Sequence, residues 1–193
     1  MKAGKIKRIL AAGVILTFAV GLAACGAKES EKDYKTANGA QSSEEAADSP
    51  FGTFKSQTLD GEDIDQEVFT RADVTMVNIW GTFCGPCVKE MPGLGQISRD
   101  YQDQGVQLVG IIADVDQAGD AAAKEIRDET KADYTHIVMS TDLTAKVREL
   151  GQFLPTTVFL DKNGRQIGES YQGARSDDEW IGILDKVLEE VKS

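Results

Sequence analysis

The stretch Asn78-Ile79-Trp80-Gly81-Thr82-Phe83-Cys84-Gly85-Pro86-Cys87-Val88-Lys89-Glu90-Met91-Pro92 decides the fold. Upstream of it, Val74 to Trp80 is an unbroken apolar and β-branched run, which predicts a central strand buried on both faces. The chain then turns into a segment that fits a helix from about Cys84 to Asp103. Two cysteines thus stand where a strand hands over to a helix. A thiol at a helix N-terminus faces unpaired amide donors and the positive end of the helix dipole, both of which favour its thiolate. The thiolate is the nucleophile of disulfide exchange. Cys87, three residues on, lies on the same side of the first turn and can close a disulfide without unwinding it. Pro86 lacks an amide proton that has no partner at that position anyway.

Working outward, Val106 to Ala113 reads as a second buried strand, Ala118 to Lys131 as an alanine-rich helix and His136 to Ser140 as a short strand. Asp142 to Leu150 fits a helix ended by Gly151, and Thr156 to Leu160 is another apolar strand. Asn163-Gly164 signals a hairpin whose second strand runs through Tyr171. Ser176 to Glu179 is a capping box opening a last helix, with Trp180, Ile181, Leu184, Val187, Leu188 and Val191 on one face. Before all of these, residues 51–59 alternate loosely and Asp60-Gly61 is a turn, which predicts an N-terminal β-hairpin. Strands alternating with helices, then a hairpin and a closing helix, make a three-layer α/β/α sandwich.

The cysteine pair has other readings. A zinc site needs about four ligands, whereas, once Cys25 is lipidated, the chain offers Cys84, Cys87 and its single His136. Haem attachment needs His after the second cysteine, where Val88 stands. A structural disulfide in an exported protein stays open beside redox catalysis. A peroxidase reading is weaker, because no further cysteine has a peroxidatic context.

The quoted stretch, through its Trp-x-x-x-Cys-x-x-Cys-x-x-Glu-x-Pro pattern, resembles the active-site region of the TlpA/ResA-like thioredoxins, and the likeness extends over about residues 51–193. It implies a thioredoxin-like fold in which the helix and strand near 118–140 are an insertion. It implies a thiol-disulfide oxidoreductase with Cys84 and Cys87 as the redox pair and no bound cofactor or metal. In Leu154-Pro155-Thr156-Thr157 the resemblance implies a cis Pro155 against the pair, with Leu154 offering backbone hydrogen bonds to a substrate strand. Glu90 takes the place of a family glutamate that tunes the cysteines and relays protons; Asn78, which cannot titrate, stands where thioredoxins proper carry a buried aspartate. Trp80, Phe83, Gly85 and Pro86 are candidate substrate contacts, with core packing as the equal alternative for Trp80. Pro92 is expected to kink the helix, while His136 is a strand residue without catalytic duty, and Gly173 and Arg175 serve turn geometry and solvation.

The ends of the chain set its address. Lys2, Lys5, Lys7 and Arg8 precede an apolar run from Ile9 to Ala24, too short for the ~20 residues of a membrane-spanning helix. That pattern reads as a secretory signal over residues 1–24. Leu22-Ala23-Ala24-Cys25-Gly26 resembles a bacterial lipobox, which implies cleavage before Cys25 and lipidation of its thiol; an uncleaved anchor or a plain signal peptide are the other readings. Residues 25–50 hold almost nothing apolar and read as a disordered tether reaching on the order of 25–30 Å. The domain is therefore expected outside the cytoplasm, held to the membrane by lipid.

The 193 residues carry a formal charge of −11. Without residues 1–24 there remain 17 Lys and Arg against 32 Asp and Glu, or −15. Such a chain is a poor nucleic-acid binder, which needs a basic surface. The expected activity is reduction of disulfides in exported proteins, with oxidation of their thiols as the alternative and a non-catalytic binding lipoprotein as a reading of another class. The family implies a CcdA- or DsbD-type membrane thiol transporter as electron donor, and clients such as apocytochrome c or a methionine sulfoxide reductase.

Overall fold

The computed structural model describes residues 49–192. The signal segment, Cys25 and nearly all of the tether expected over 25–50 lie outside the described residues.

The strand expected around the cysteine motif is β3, Val74–Trp80, and all seven of its residues are buried. It is the centre of a five-stranded sheet. On one side it pairs in parallel with β4, Val106–Ile112, which pairs in parallel with β5, Thr135–Val138. On the other side it pairs antiparallel with β6, Thr156–Asp161, and β6 with β7, Gln166–Gln172. The β6–β7 turn is held by Asp161, whose Oδ1 accepts from the amides of Asn163 and Arg165, and Gly164 supplies the left-handed residue (φ 78°). A separate antiparallel hairpin, β1 (Lys55–Gln57) and β2 (Asp63–Asp65), precedes the sheet. Thr58 bridges to Ile137, and the Ser56 hydroxyl donates to Val138 O, so the hairpin covers the β5 edge.

Four helices complete the layers: α1, Gly85–Tyr101; α2, Ala121–Thr130; α3, Thr141–Leu150; and α4, Asp177–Lys192. Cap chemistry moves the expected boundaries by a few residues. Cys84 is itself the N-cap of α1, so the helix begins one residue later than read. The Asp120 carboxylate caps α2 at Ala123 N, leaving residues 118–120 outside it. Ser140 is withdrawn from the expected strand because its hydroxyl caps α3. Pro92 lies within α1, where it has no N–H to donate to Val88 O.

Alternation along the strands divides the core. On one face Val77, Ile79, Val109, Ile111, Val158 and Leu160 pack with Phe51, Phe54, Phe69, Leu143 and Val147. On the other, Met76, Trp80, Leu108, Ile112 and Phe159 pack beneath α1 and α4 with both cysteines. Among the described residues no helix is long and apolar enough to cross a membrane.

Candidate active site

The hand-over from β3 to α1 places the cysteines. Gly81 follows the strand, and the loop is pinned by Asp114 after β4, whose carboxylate accepts from Thr82 N (3.0 and 3.2 Å) and from the Thr82 hydroxyl. Cys84 and Cys87 are joined in a disulfide, with Cα atoms 5.3 Å apart. Cys84 Sγ accepts from Cys87 N at 3.3 Å, so the sulfur sits on the amide donors of the first helical turn. Cys84 is 6% exposed, whereas Cys87 is fully buried. A substrate therefore reaches one sulfur of the pair, and the other is screened behind it.

The Leu154–Pro155 peptide is cis, as the resemblance implies. Because β3 and β6 are antiparallel with Ile79 opposite Thr156, the residues after β3 and those before β6 meet at one end of the sheet. Gly81 shows how tight the meeting is: a side chain there would press on Phe83, Asp114 and Leu154 at 3.1–3.3 Å. Phe83 and Phe153 are the large apolar side chains left exposed among the described residues, at 75% and 63%. Gly85 and Pro86 are exposed beside them, and Leu154 is half-buried. Phe153 was not among the expected contacts. Its place two residues before the cis proline was the available signal, but its exposure is not readable from sequence.

For Trp80 the structure rules against the substrate contact and for core packing. It is fully buried, and its Nε1–H donates to His136 Nδ1 at 3.2 Å. His136 Nε2–H in turn donates to Ala132 O at 2.8 Å, which fixes the neutral tautomer. Burial holds its pKa down to about 4. Gly110 makes the pair possible, since any side chain on it would collide with His136 Nδ1.

Glu90 is buried under the site. Its Oε1 accepts from Asn78 Nδ2 (3.0 Å), and its Oε2 from Arg175 N (3.1 Å) and Trp180 Nε1 (3.2 Å). Burial raises its pKa above the ordinary carboxylate value, and the donors from Arg175, Trp180 and Asn78 offset part of that rise. No hydrogen bond joins it to a sulfur in the disulfide form. Arg175, expected to serve a turn and solvation, therefore does more: its amide holds Glu90 and its guanidinium packs on Tyr171 and Trp180, 5.0 and 5.1 Å from the ring centroids. Trp180 likewise anchors Glu90 besides filling the core. Periodicity marked it as apolar and concealed its N–H. An open pocket lined by Lys89, Glu90, Arg175 and Asp177 leads from this carboxylate to solvent.

Chemically, the arrangement offers one accessible sulfur on a helix N-terminus, a second sulfur behind it and a buried carboxylate one turn below. Among the described residues no group of three or more His, Cys, Asp or Glu is placed to hold a metal.

Residues 46–188 match the Redoxin family model. The chain is 29% identical over 132 residues to the thiol-disulfide oxidoreductase ResA of Oceanobacillus iheyensis, covering 65% of each chain. It is 28% identical over 121 residues to that of Bacillus cereus, covering 58% of this chain and 61% of the relative. The chain thus spans somewhat under two thirds of the length of these curated relatives. Among solved structures, a thiol:disulfide interchange protein of the thioredoxin family from Chlorobium tepidum superposes with a TM-score of 0.59 at 23% identity, over 72% of this chain and 96% of the other. That likeness shows the thioredoxin fold. With three quarters of its length inside the family match, the chain belongs to the Redoxin family, as a TlpA/ResA-like protein of thioredoxin fold.

Proposed function

We propose that this protein is an extracytoplasmic, lipid-anchored thiol-disulfide oxidoreductase that reduces disulfides in exported proteins. The observation that carries the reading is the asymmetry of the pair: Cys84, capping a helix N-terminus, keeps a small exposed area, and Cys87 is fully buried behind it. The ResA relatives, named thiol-disulfide oxidoreductases, support it.

In the reducing direction the dithiol acts first. The Cys84 thiolate attacks one sulfur of a substrate disulfide, forming a mixed disulfide and expelling the other substrate sulfur as a thiolate. Cys87 then loses its proton, to Glu90 or to water, and attacks Cys84 Sγ. The mixed disulfide breaks, the second substrate thiolate leaves, and the pair is oxidised by the two electrons the substrate has gained. Phe83, Gly85 and Pro86 form one wall for the substrate segment, and Leu154 with cis Pro155 offers backbone on the other. A CcdA- or DsbD-type membrane transporter resets the pair, and apocytochrome c or an exported methionine sulfoxide reductase suits the client role. The signal over residues 1–24, lipid on Cys25 and a tether over 25–50 hold the domain of residues 51–193 at the outer face of the membrane.

The test traps the intermediate. Cys87→Ser leaves Cys84 able to attack but not to be released, and is expected to accumulate mixed disulfides with clients in cells. Cys84→Ser is expected to accumulate none. A wild-type pair found mostly oxidised in cells and passing its disulfide to reduced clients would overturn the reductase direction. Mass spectrometry of the N-terminal peptide reads the lipid on Cys25.

A further inference from the structure

The chain passes from β7 to α4 through Gly173-Ala174-Arg175-Ser176, a loop that touches the site at two places. Gly173 N donates to the carbonyl of cis Pro155 at 2.8 Å, and Arg175 N donates to Glu90 Oε2 at 3.1 Å. The loop's ends are fixed by the pairing of Gln172 with Thr156 and by Ser176, which forms the capping box of α4 with Glu179. Between them, Gly173 is left-handed (φ 82°), a conformation that glycine enters and leaves freely, and Ala174 is exposed. The Arg175 side chain folds back over this span. Its Nη1 donates to Gln172 O at 3.3 Å and to Gly173 O at 3.0 Å. Its Cζ lies over the Tyr171 and Trp180 rings, which meet edge to face at 77°. Trp180 is buried, so the corner that seats the guanidinium is part of the core.

We propose that the Arg175 side chain is a positioning residue for Glu90: from its seat between Tyr171 and Trp180 it ties down the carbonyls of Gln172 and Gly173 and so holds the Arg175 amide on Glu90 Oε2. Any residue at 175 would supply an N–H; what the arginine supplies is its place. A guanidinium suits the task, because it stacks on aromatic rings while its N–H groups stay free to donate. An N–H on the carboxylate favours the ionised form. Burial pushes the Glu90 pKa up, and among the groups that oppose the rise the Arg175 amide acts most strongly. A half-buried side chain thus sets the acidity of a buried carboxylate through a backbone bond. If that bond loosens, Glu90 keeps its proton to higher pH and is less ready to take one from Cys87.

The inference rests on Glu90 as the proton acceptor for Cys87, the role proposed above, but its test needs no turnover. The full chain is studied in its disulfide form, where neither cysteine titrates, with 13C in the Glu90 carboxyl and 15N in the amides. Around Glu90 stand Lys89 and the bonded Cys87 on α1, Arg175, Asp177 and Asp178 at the start of α4, and Tyr134 before β5, and the label separates its titration from theirs. In the wild type, the residue 175 amide proton and the Trp180 indole proton are both expected to shift with the Glu90 midpoint, since both bond Oε2. Arg175→Ala is expected to raise that midpoint by about half a unit to one unit. The residue 175 amide should then cease to follow it, while the indole, held by core packing, still does. An amide that follows Glu90 unchanged in the variant overturns the proposal, because the side chain then acts by its charge alone. A midpoint left unmoved or lowered overturns it too, as does an indole that stops following, which places the effect on α4. If Arg175→Ala does not fold, Arg175→Lys is read in its place with the same expectations, since an ammonium keeps the charge but lacks the planar face that stacks on the rings. Shifts as expected, with a Cys87 release step that is indifferent to pH, would refute Glu90 as the acceptor and leave this inference standing.

Discussion

The two faces of the central sheet are built from the same strands and do different work. Toward α3, the odd-numbered residues Val77, Ile79, Val109 and Ile111 meet Phe51, Phe54 and Phe69 in an apolar layer. Toward α1 and α4, the same strands carry Trp80 and Met76 but also Asn78, Thr157 and His136, and α1 adds Glu90. A buried polar group costs stability unless it is bonded, and these are bonded chiefly to one another. Both faces are packed, and the second also carries a polar network that this packing keeps from solvent.

The largest effect that would sharpen this contrast is on the chemical face. Cys84→Ser is expected to abolish insulin reduction, by about a thousandfold or more, while the thermal midpoint moves by only a few degrees. Loss of the fold together with activity would make the disulfide structural instead. On the apolar face, Phe69→Ala is expected to cost about 3–5 kcal/mol in urea unfolding, with the redox potential of the pair unchanged. A changed potential would show that the faces are coupled.

The two faces also part company in acid. His136 titrates near pH 4 in the folded chain against 6.5 unfolded, so the unfolded chain binds the proton first. Stability from this residue is complete above pH 6.5 and is lost as pH falls toward 4, by about 3 kcal/mol. His136→Leu is expected to flatten that part of the curve while lowering stability at neutral pH, because Trp80 and Ala132 lose their partner. Glu90 runs the other way. Its folded pKa is raised, so it detracts from stability as pH climbs from the ordinary carboxylate range through its folded value. Glu90→Gln removes that slope and is expected to slow the Cys87 release step by about tenfold, with the pH dependence of that step lost. An unchanged pH–rate profile counts against a proton role for Glu90. The smallest effect belongs to Phe153→Ala, expected to raise KM for a protein disulfide by about two- to fivefold through lost apolar contact, and to leave reduction of a small disulfide as it was. Equal changes for both substrates would place Phe153 in the fold and not at the substrate.

Much of the fold was legible because periodicity reports burial directly. The run Val74–Trp80, the capping box at Ser176 and the Asn163-Gly164 turn each became the element they signalled. The cysteine motif marked the site, and the strand alternating with it located the core. What sequence did not disclose was lateral. That Trp80 is turned inward onto His136, that Arg175 presents its amide to Glu90, and that Trp180 reaches across with its indole N–H all depend on which strands are neighbours. Exposure of Phe153 is hidden for the same reason, since a lone aromatic after Gly151 reads equally well as core.

The pairing of Ile79 with Thr156 has an evolutionary reach. It fastens the end of the strand leading to Cys84 to the start of the strand that follows Pro155, through backbone bonds that no side chain specifies. Everything the chain does between these two points, including α2, β5 and α3, is an excursion that leaves and returns to a fixed seam. Residues can be gained or lost along that excursion while sulfur and proline keep their distance. The seam thus frees the insertion to acquire new neighbours while the site beside it keeps its geometry.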